Sequence, residues 1–370
     1  MKNVLSIVSY QFLPAKMGGQ KGIAFFNRFF CRQVNLTCIT TENNDPNYAE
    51  GYELLNILSN NKTRYIDLFY FFTLKKIIKE KKITHVLLEH PYYGWLGILL
   101  KQFCKITLVV HSHNIESTRF KSMGKWWWGV LASYEKLTYK TADVCFFIND
   151  EDKEYAIQHF DLAKQKCTTI TYGFELSHAP SSEEKAIARN FLQTKYAINK
   201  QDKLLLFNGT LDYKPNSDAI DIILKKINPV LLNDPDFSCK IIICGKNLPA
   251  IYNELKEYTD KNIIYAGFVD DIIPYFKGAD IFINPVIDGG GIKTKLVESL
   301  GYNMNVVTTS NGAIGVPLSI TGDKMKIISN DNWQLFAEEI MSATTSSTIP
   351  SAFFEHFYWE EIAKKAAASI

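Results

Sequence analysis

Residues 281–301 read Ile-Phe-Ile-Asn-Pro-Val-Ile-Asp-Gly-Gly-Gly-Ile-Lys-Thr-Lys-Leu-Val-Glu-Ser-Leu-Gly. A short apolar run, then a glycine-rich turn, then apolar residues at helical spacing (Ile292, Leu296, Val297, Leu300) predict a strand, a loop and a helix in that order. The same alternation runs outward in both directions. Strands are predicted near 4–9, 36–40, 84–88, 106–110 and 144–148, with helices starting near Gly19, Leu74, Gly94, Trp126 and Asp150. A second series of strands follows near 204–207, 240–244, 263–266, 281–284 and 306–308. Strands alternating with helices imply parallel sheets covered on both faces, hence an α/β chain with two Rossmann-like halves.

The chain has 370 residues, which at about 150 per domain is two to three domains, two being the simplest division. The expected boundaries are 1–175 for a first domain, 176–203 for a charged interdomain connection and 204–348 for a second domain. A C-terminal helix over 349–370, rich in aromatics, is expected to pack across the domains. A composition 46% hydrophobic and 22% charged excludes disordered, collagen-like and disulfide-scaffold chains. The formal net charge of +2 argues against a nucleic-acid coat. Seven cysteines, an odd number set largely in apolar runs such as Val144-Cys145-Phe146, read as reduced core residues and favour the cytoplasm. No Cys-x-x-Cys pair points to structural zinc. The N-terminal stretch reads as a first strand rather than a signal peptide, and no apolar run reaches the length of a membrane span.

The loop at 288–294 carries the strongest chemical signal. Gly289, Gly290 and Gly291 sit where main-chain N–H groups and a helix N-terminus can meet an anion. Ile292 belongs to the same loop, Lys293 adds a mobile positive charge at its edge, and Thr294 is the expected N-cap. Glu298, one turn into the helix, is placed to accept from ribose hydroxyls. The bland alternative is a flexible turn and a solvated acid; three consecutive glycines cost more conformational entropy than such a turn requires. A weaker signal is Met17-Gly18-Gly19-Gln20-Lys21-Gly22 after the first strand, which lacks the spacing of a dinucleotide fingerprint. His111 and His113 end a buried strand, where open parallel sheets bind ligands, and His90 ends the strand before it. Trp126-Trp127-Trp128 beside Lys121 and Lys125 reads as a peripheral membrane contact, since three consecutive tryptophans cannot all face inward from one helix.

The loop and helix resemble the nucleotide-sugar motif of retaining GT-B glycosyltransferases of family four. So do Asn208-Gly209-Thr210-Leu211-Asp212-Tyr213, the Ile264 to Val269 passage, and Ala279-Asp280-Ile281. The resemblance implies two facing domains around a central cleft, with the C-terminal helix crossing back. It implies that Glu298, the second acid of an E-x7-E motif, holds the donor ribose; the first acid falls at Gly290, a departure from the pattern. It also implies that His113, within His113-Asn114-Ile115-Glu116, contacts the transferred sugar, with His111 as the second choice; from their places at strand ends His90 and His111 are candidates for the acceptor side, the alternative for His90 being a loop histidine capped by its neighbours. Gly18, Gly19 and Gly209 would line the donor diphosphate, and Tyr172-Gly173-Phe174 would be a structural turn.

The function expected on this basis is transfer of a hexose from a nucleoside-diphosphate sugar to a glycan or lipid-linked hydroxyl, with retention. Surface-polysaccharide synthesis at the inner face of the membrane, without metal or other cofactor, completes the expectation. Two other readings share the scaffold: a nucleotide-sugar epimerase, and a noncatalytic nucleotide-sugar-binding protein. No nucleic-acid partner is expected.

Overall fold

Strands that are apolar on both faces need a helical layer on each side. The computed structural model, which describes residues 1–16, 18–343 and 347–370, meets that need twice. One unit comprises Met1–Gly173 with Phe357–Ile370, the other Phe174–His356. Met17 of the first glycine stretch and Thr344, Thr345 and Ser346 of the Ser/Thr run lie outside the described residues.

The first unit holds β1 (Asn3–Val8), β2 (Asn35–Thr41), β3 (Glu53–Leu58), β4 (His85–Glu89), β5 (Thr107–Ser112), β6 (Val144–Phe147) and β7 (Cys167–Thr169). They form one parallel sheet in the order β3-β2-β1-β4-β5-β6-β7. Leu5, Ile7, Val86, Leu88, Leu108 and Val110 pack one face against Leu74, Leu96 and Leu100 of the covering helices. On the other face Val8 and Cys38 meet Ile23 of the helix Gly18–Phe30. Each such fully buried aliphatic side chain contributes about 2 kcal/mol by leaving water.

The second unit repeats the scheme with β8 (Lys203–Thr210), β9 (Cys239–Lys246), β10 (Ile263–Gly267), β11 (Ile281–Asn284), β12 (Asn305–Thr309) and β13 (Met325–Ile328). Its order is β10-β9-β8-β11-β12-β13, again parallel. Asp280 of the Ala279-Asp280-Ile281 passage is a clamp: its carboxylate accepts from the Leu204 amide at 2.7 Å and pairs with Arg189 at 2.6 Å. It thereby ties the start of β11 to the start of β8. Each sheet reverses its winding once, between β1 and β4 and between β8 and β11, and such switch points are where open α/β sheets bind ligands, at the strand C-termini.

Several elements differ from the sequence-based expectation. β3, β7 and β13 were not predicted; β3 and β7 are largely half-buried, β7 spans only three residues, and the four of β13 include two exposed ones, so none shows a long apolar run. Within 176–203 the structure has a helix, Ser182–Tyr196, closed by a Ser181/Glu184 capping box and counted in the second unit. The C-terminal region is two helices, Ser351–Phe357 and Trp359–Ser369, rather than one, because Tyr358 is extended (φ −72°, ψ 126°). Phe354 lies 6.3 Å from Phe174 in the second unit, whereas Trp359 lies 5.5 Å from Tyr172 and 6.4 Å from Phe25 in the first.

Gly173 makes the docking of Trp359 possible, since a Cβ at this position would lie 2.3 Å from the indole. Gly173→Ala is therefore expected to lower unfolding stability by about 1–3 kcal/mol through overpacking. A denaturant midpoint equal to wild type would contradict this packing.

Candidate functional site

In the second unit the polar groups gather at the β8/β11 switch. Gly289 (φ 93°) and Gly291 (φ 71°) are left-handed, the reason glycine is required there. A Cβ on Gly290 would meet nothing within 4 Å. The loop is braced from behind: Asn284 Nδ2 donates to Thr308 Oγ1 at 2.9 Å, Asn311 Nδ2 to Gly289 O at 3.3 Å, and Thr309 Oγ1 to Val286 O. Ile292 packs against Gly315, its Cβ 3.1 Å from where a side chain there would begin. Gly209 lies inside β8 and is glycine because Asn216, whose Nδ2 donates to Thr210 O at 2.8 Å, leaves no room for a Cβ.

The helix Thr294–Gly301 starts one residue earlier than expected: Lys293, extended at φ −86° and ψ 95°, is the N-cap and Thr294 the first helical residue. No side chain caps this terminus. Among the described residues the amides of Gly290, Gly291 and Ile292 have no hydrogen-bond acceptor. Lys293 is not a mobile edge charge. Its Nζ donates to the carbonyls of Gly289 at 2.7 Å and Gly291 at 3.1 Å, and burial holds the ammonium down to about 8. Glu298 is held by Lys295, Nζ to Oε2 2.9 Å. Lys214 is exposed and paired with Asp218 at 2.7 Å.

In the first unit, register assembles a second cluster at the β1/β4 switch. Glu89 on β4 is the direct partner of His111 on β5, and His113 follows two residues later. Glu89 is 1% exposed, and its Oε2 lies 2.6 Å from His113 Nε2 and 3.1 Å from His111 Nδ1. Burial alone would push this carboxyl up; the two imidazoles instead hold it well below the usual carboxylate range. His113 goes the other way: burial, reinforced by His111 and His90 and opposed by Glu89, lowers it to about 4. His90 stacks on His113 with centroids 4.5 Å apart. Its Nδ1 lies 3.3 Å from Glu116 Oε1 and its Nε2 3.1 Å from the Tyr10 hydroxyl. Its backbone (φ 71°, ψ 157°) is a conformation nearly confined to glycine, a strain of about 1–3 kcal/mol that clusters at functional sites. Burial would also raise Glu116, but His90 and Arg119 hold it down, Arg119 donating from Nε at 2.9 Å. Glu135 closes the cluster by accepting from the Glu116 and Ser117 amides, each at 2.8 Å, while burial pushes it up to about 7.

Glu89, His111 and His113 are the grouping among the described residues with metal-ligand chemistry. The 2.6 Å between Glu89 and His113 is a hydrogen-bond distance, shorter than the roughly 3.4 Å between two atoms bound tetrahedrally to one zinc. Both Asp-x-Asp triplets serve local structure. Asp150 pairs with Lys153 and Asp152 accepts from Asn149 at a helix start, and Asp234 accepts from the Asp236 amide in a turn.

Residues 28–178 match the profile described as "Glycosyltransferase Family 4", and residues 202–345 that described as "Glycosyl transferases group 1". The protein belongs to the family-4-like GT-B glycosyltransferases. A curated relative, the "Uncharacterized 44.6 kDa protein in cps region" of Klebsiella pneumoniae, is 27% identical over 280 residues, 73% of this chain and 67% of its own. The O-antigen biosynthesis glycosyltransferase WbnH of Escherichia coli is 21% identical over 333 residues, 89% of this chain and 84% of its own. Among solved structures, a Rickettsia africae glycosyltransferase superposes with a TM-score of 0.72 at 15% identity, covering 99% of this chain and 96% of that one. Anabaena HepE, solved with UDP and in another crystal with UDP-glucose, gives 0.72 at 14% in the UDP form, covering 100% and 99%.

The glycosyltransferase thus brings Gly209, Gly289, Gly290, Gly291, Ile292, Lys293, Thr294 and Glu298 to one sheet edge of its second unit. His90, His111 and His113 come to one edge of its first. Gly18 and Gly19 are not a loop after β1: they open the helix Gly18–Phe30, and residues 9–16 make the connection. Trp126 and Trp127 precede the helix Trp128–Thr141; Trp126 is 87% exposed, Trp127 packs on Phe120 at 4.7 Å, and Lys121 lies over Trp128 at 4.5 Å. Sequence reasoning missed Glu89, Tyr10, Arg119 and Glu135. An acid ending one apolar strand, with histidines ending the next, was the available signal.

Because Gly290 has open space and its neighbours positive φ, Gly290→Glu is expected to leave the melting temperature within about 1 °C of wild type. Gly289→Ala or Gly291→Ala should each cost about 1 kcal/mol. Equal losses at all three positions would refute this loop geometry.

Proposed function

We propose that the glycosyltransferase moves a hexose from a nucleoside-diphosphate sugar to a hydroxyl of a glycan or lipid-linked acceptor, with retention, in the synthesis of a cell-surface polysaccharide. The observation that carries this reading is the uncapped helix start at Thr294 behind three glycines, with Lys293 beside it. Breaking the sugar–phosphate bond leaves charge on the diphosphate, and preorganised donors aimed at such charge usually supply the largest share of the rate acceleration. The amides of Gly290 and Gly291 and the Lys293 ammonium are those donors, and Glu298 accepts from the ribose. His113 contacts the hexose, and His90 and His111 face the acceptor. The UDP and UDP-glucose complexes of the structurally similar HepE support a nucleotide-sugar donor, and the O-antigen role of WbnH supports a polysaccharide product. In this reading Lys293 and the amides neutralise the leaving group without a bound metal.

No described helix is long and apolar enough to cross a membrane. We assign contact with the cytoplasmic membrane face to Trp126, with Met123 and Val130 exposed near it and Lys121 and Lys125 beside them. Anionic vesicles should sediment the wild type more than zwitterionic ones, and Trp126→Ser should reduce that binding at least threefold. Identical sedimentation of the two proteins would remove the assignment.

A panel of nucleoside-diphosphate sugars should include one that raises the melting temperature, since a ligand bound only by the folded state stabilises it. Glu298→Ala should weaken that donor's binding about tenfold, whereas His113→Ala should lower turnover more than affinity; a chelator should leave the rate unchanged. Only the charged form of Lys293 attracts a diphosphate, so affinity should hold up to about pH 8 and fall by as much as about tenfold per unit above it. Lys293→Arg should flatten that fall. Wild-type transfer by both the Glu298 and the His113 variants would overturn the site.

A further inference from the structure

Two imidazoles converge on one oxygen of Glu89, and that convergence limits how His113 can be protonated. A carboxylate only accepts, so an atom 2.6 Å from its oxygen in hydrogen-bond geometry is a donor. His113 therefore carries its proton on Nε2. A neutral imidazole has a single N–H, which leaves Nδ1 with a lone pair, and in such rings the partner of one nitrogen decides the role of the other. Among the described residues no hydrogen bond reaches His113 Nδ1. Of the three clustered rings His113 is also the most accessible, its side chain 12% exposed against 8% for His90 and 3% for His111.

The surroundings fix the ring as well as its proton. His90 stacks against it at 4.5 Å and is itself held by Tyr10 and Glu116. His111 lies 4.5 Å away and also faces the Ile170 carbonyl, Nε2 to O 3.4 Å. Glu89 is anchored by its place on β4, where its neighbour in the ladder is His111.

We propose that Glu89 is a positioning residue for sugar transfer: by accepting from His113 Nε2 it fixes the tautomer whose Nδ1 takes a proton-bearing hydroxyl of the substrate. The proposal rests on the reading of His113 as a sugar contact. In the opposite tautomer Nδ1 would present an N–H and reject the same hydroxyl hydrogen. Glu89 touches no substrate in this account and acts only through His113.

The test is nitrogen NMR of the histidine ring atoms in protein carrying 15N-labelled histidine, with His113→Gln for assignment. The wild type should show His113 protonated at Nε2 and bare at Nδ1. Glu89→Gln, whose amide can turn either its oxygen or its NH2 toward the ring, should show a mixture of tautomers. Its turnover should fall at least tenfold while the thermal shift with UDP stays at the wild-type value. A wild-type His113 protonated at Nδ1 would overturn the proposal even if Glu89→Gln failed to fold. So would a Glu89→Gln protein with an unchanged tautomer, or with a changed tautomer and unchanged turnover. The ring spectra need no turnover, so a protein with the expected tautomer and no transfer to any acceptor would refute the transferase reading and leave the Glu89–His113 geometry standing.

Discussion

A carboxylate taken out of water costs several kcal/mol unless a positive or hydrogen-donating partner goes with it. Much of the first unit's functional edge follows from that constraint. Glu89 and Glu116 are 1% and 0% exposed, and each is surrounded by groups that can donate: His111 and His113 for one, His90 and Arg119 for the other. The histidines are thus obligatory companions of buried acids, and their orientation is decided by those acids. The strained backbone of His90 persists because the chain on both sides and the ring itself are independently tied down.

The second unit gathers its polar groups by other means. There the main chain provides the donors, and the single lysine of the loop is satisfied by the loop's own carbonyls. Those contacts close the loop on itself, so Lys293 holds its carbonyls to one side while the amides of Gly290, Gly291 and Ile292 stay without acceptors among the described residues. Glu298 has a comparable arrangement with Lys295 one turn away. Side-chain acids paired with rings in one unit, and bare amides with an ammonium in the other, are two solutions placed at the same topological position.

The sequence revealed the parts whose physics is local. Central strands such as β1, β4 and β9 are continuous apolar runs because both of their faces are buried, and runs of that kind are visible without a structure. The glycine triplet was legible because left-handed residues announce themselves. Edge strands β3, β7 and β13 were not, since half-buried or three-residue segments carry little pattern. The start of the helix after Gly291 was misread by one residue because Thr294 has the chemistry of a cap while Lys293 has the conformation of one. Glu89 was missed for a different reason: an acid ending one strand and histidines ending the next are visible in the sequence, but their register is not. Its partners lie on the neighbouring strand and the loop after it, and only the register of β4 with β5 brings them together.

Trp359 settling over Gly173 places the last helix of the chain within the first unit. During synthesis the whole of residues 174–356 leaves the ribosome before that indole does. The nascent N-terminal unit must therefore wait with an uncovered aromatic recess beside Phe25 and Tyr172, and it is completed only after translation has passed through the entire second unit.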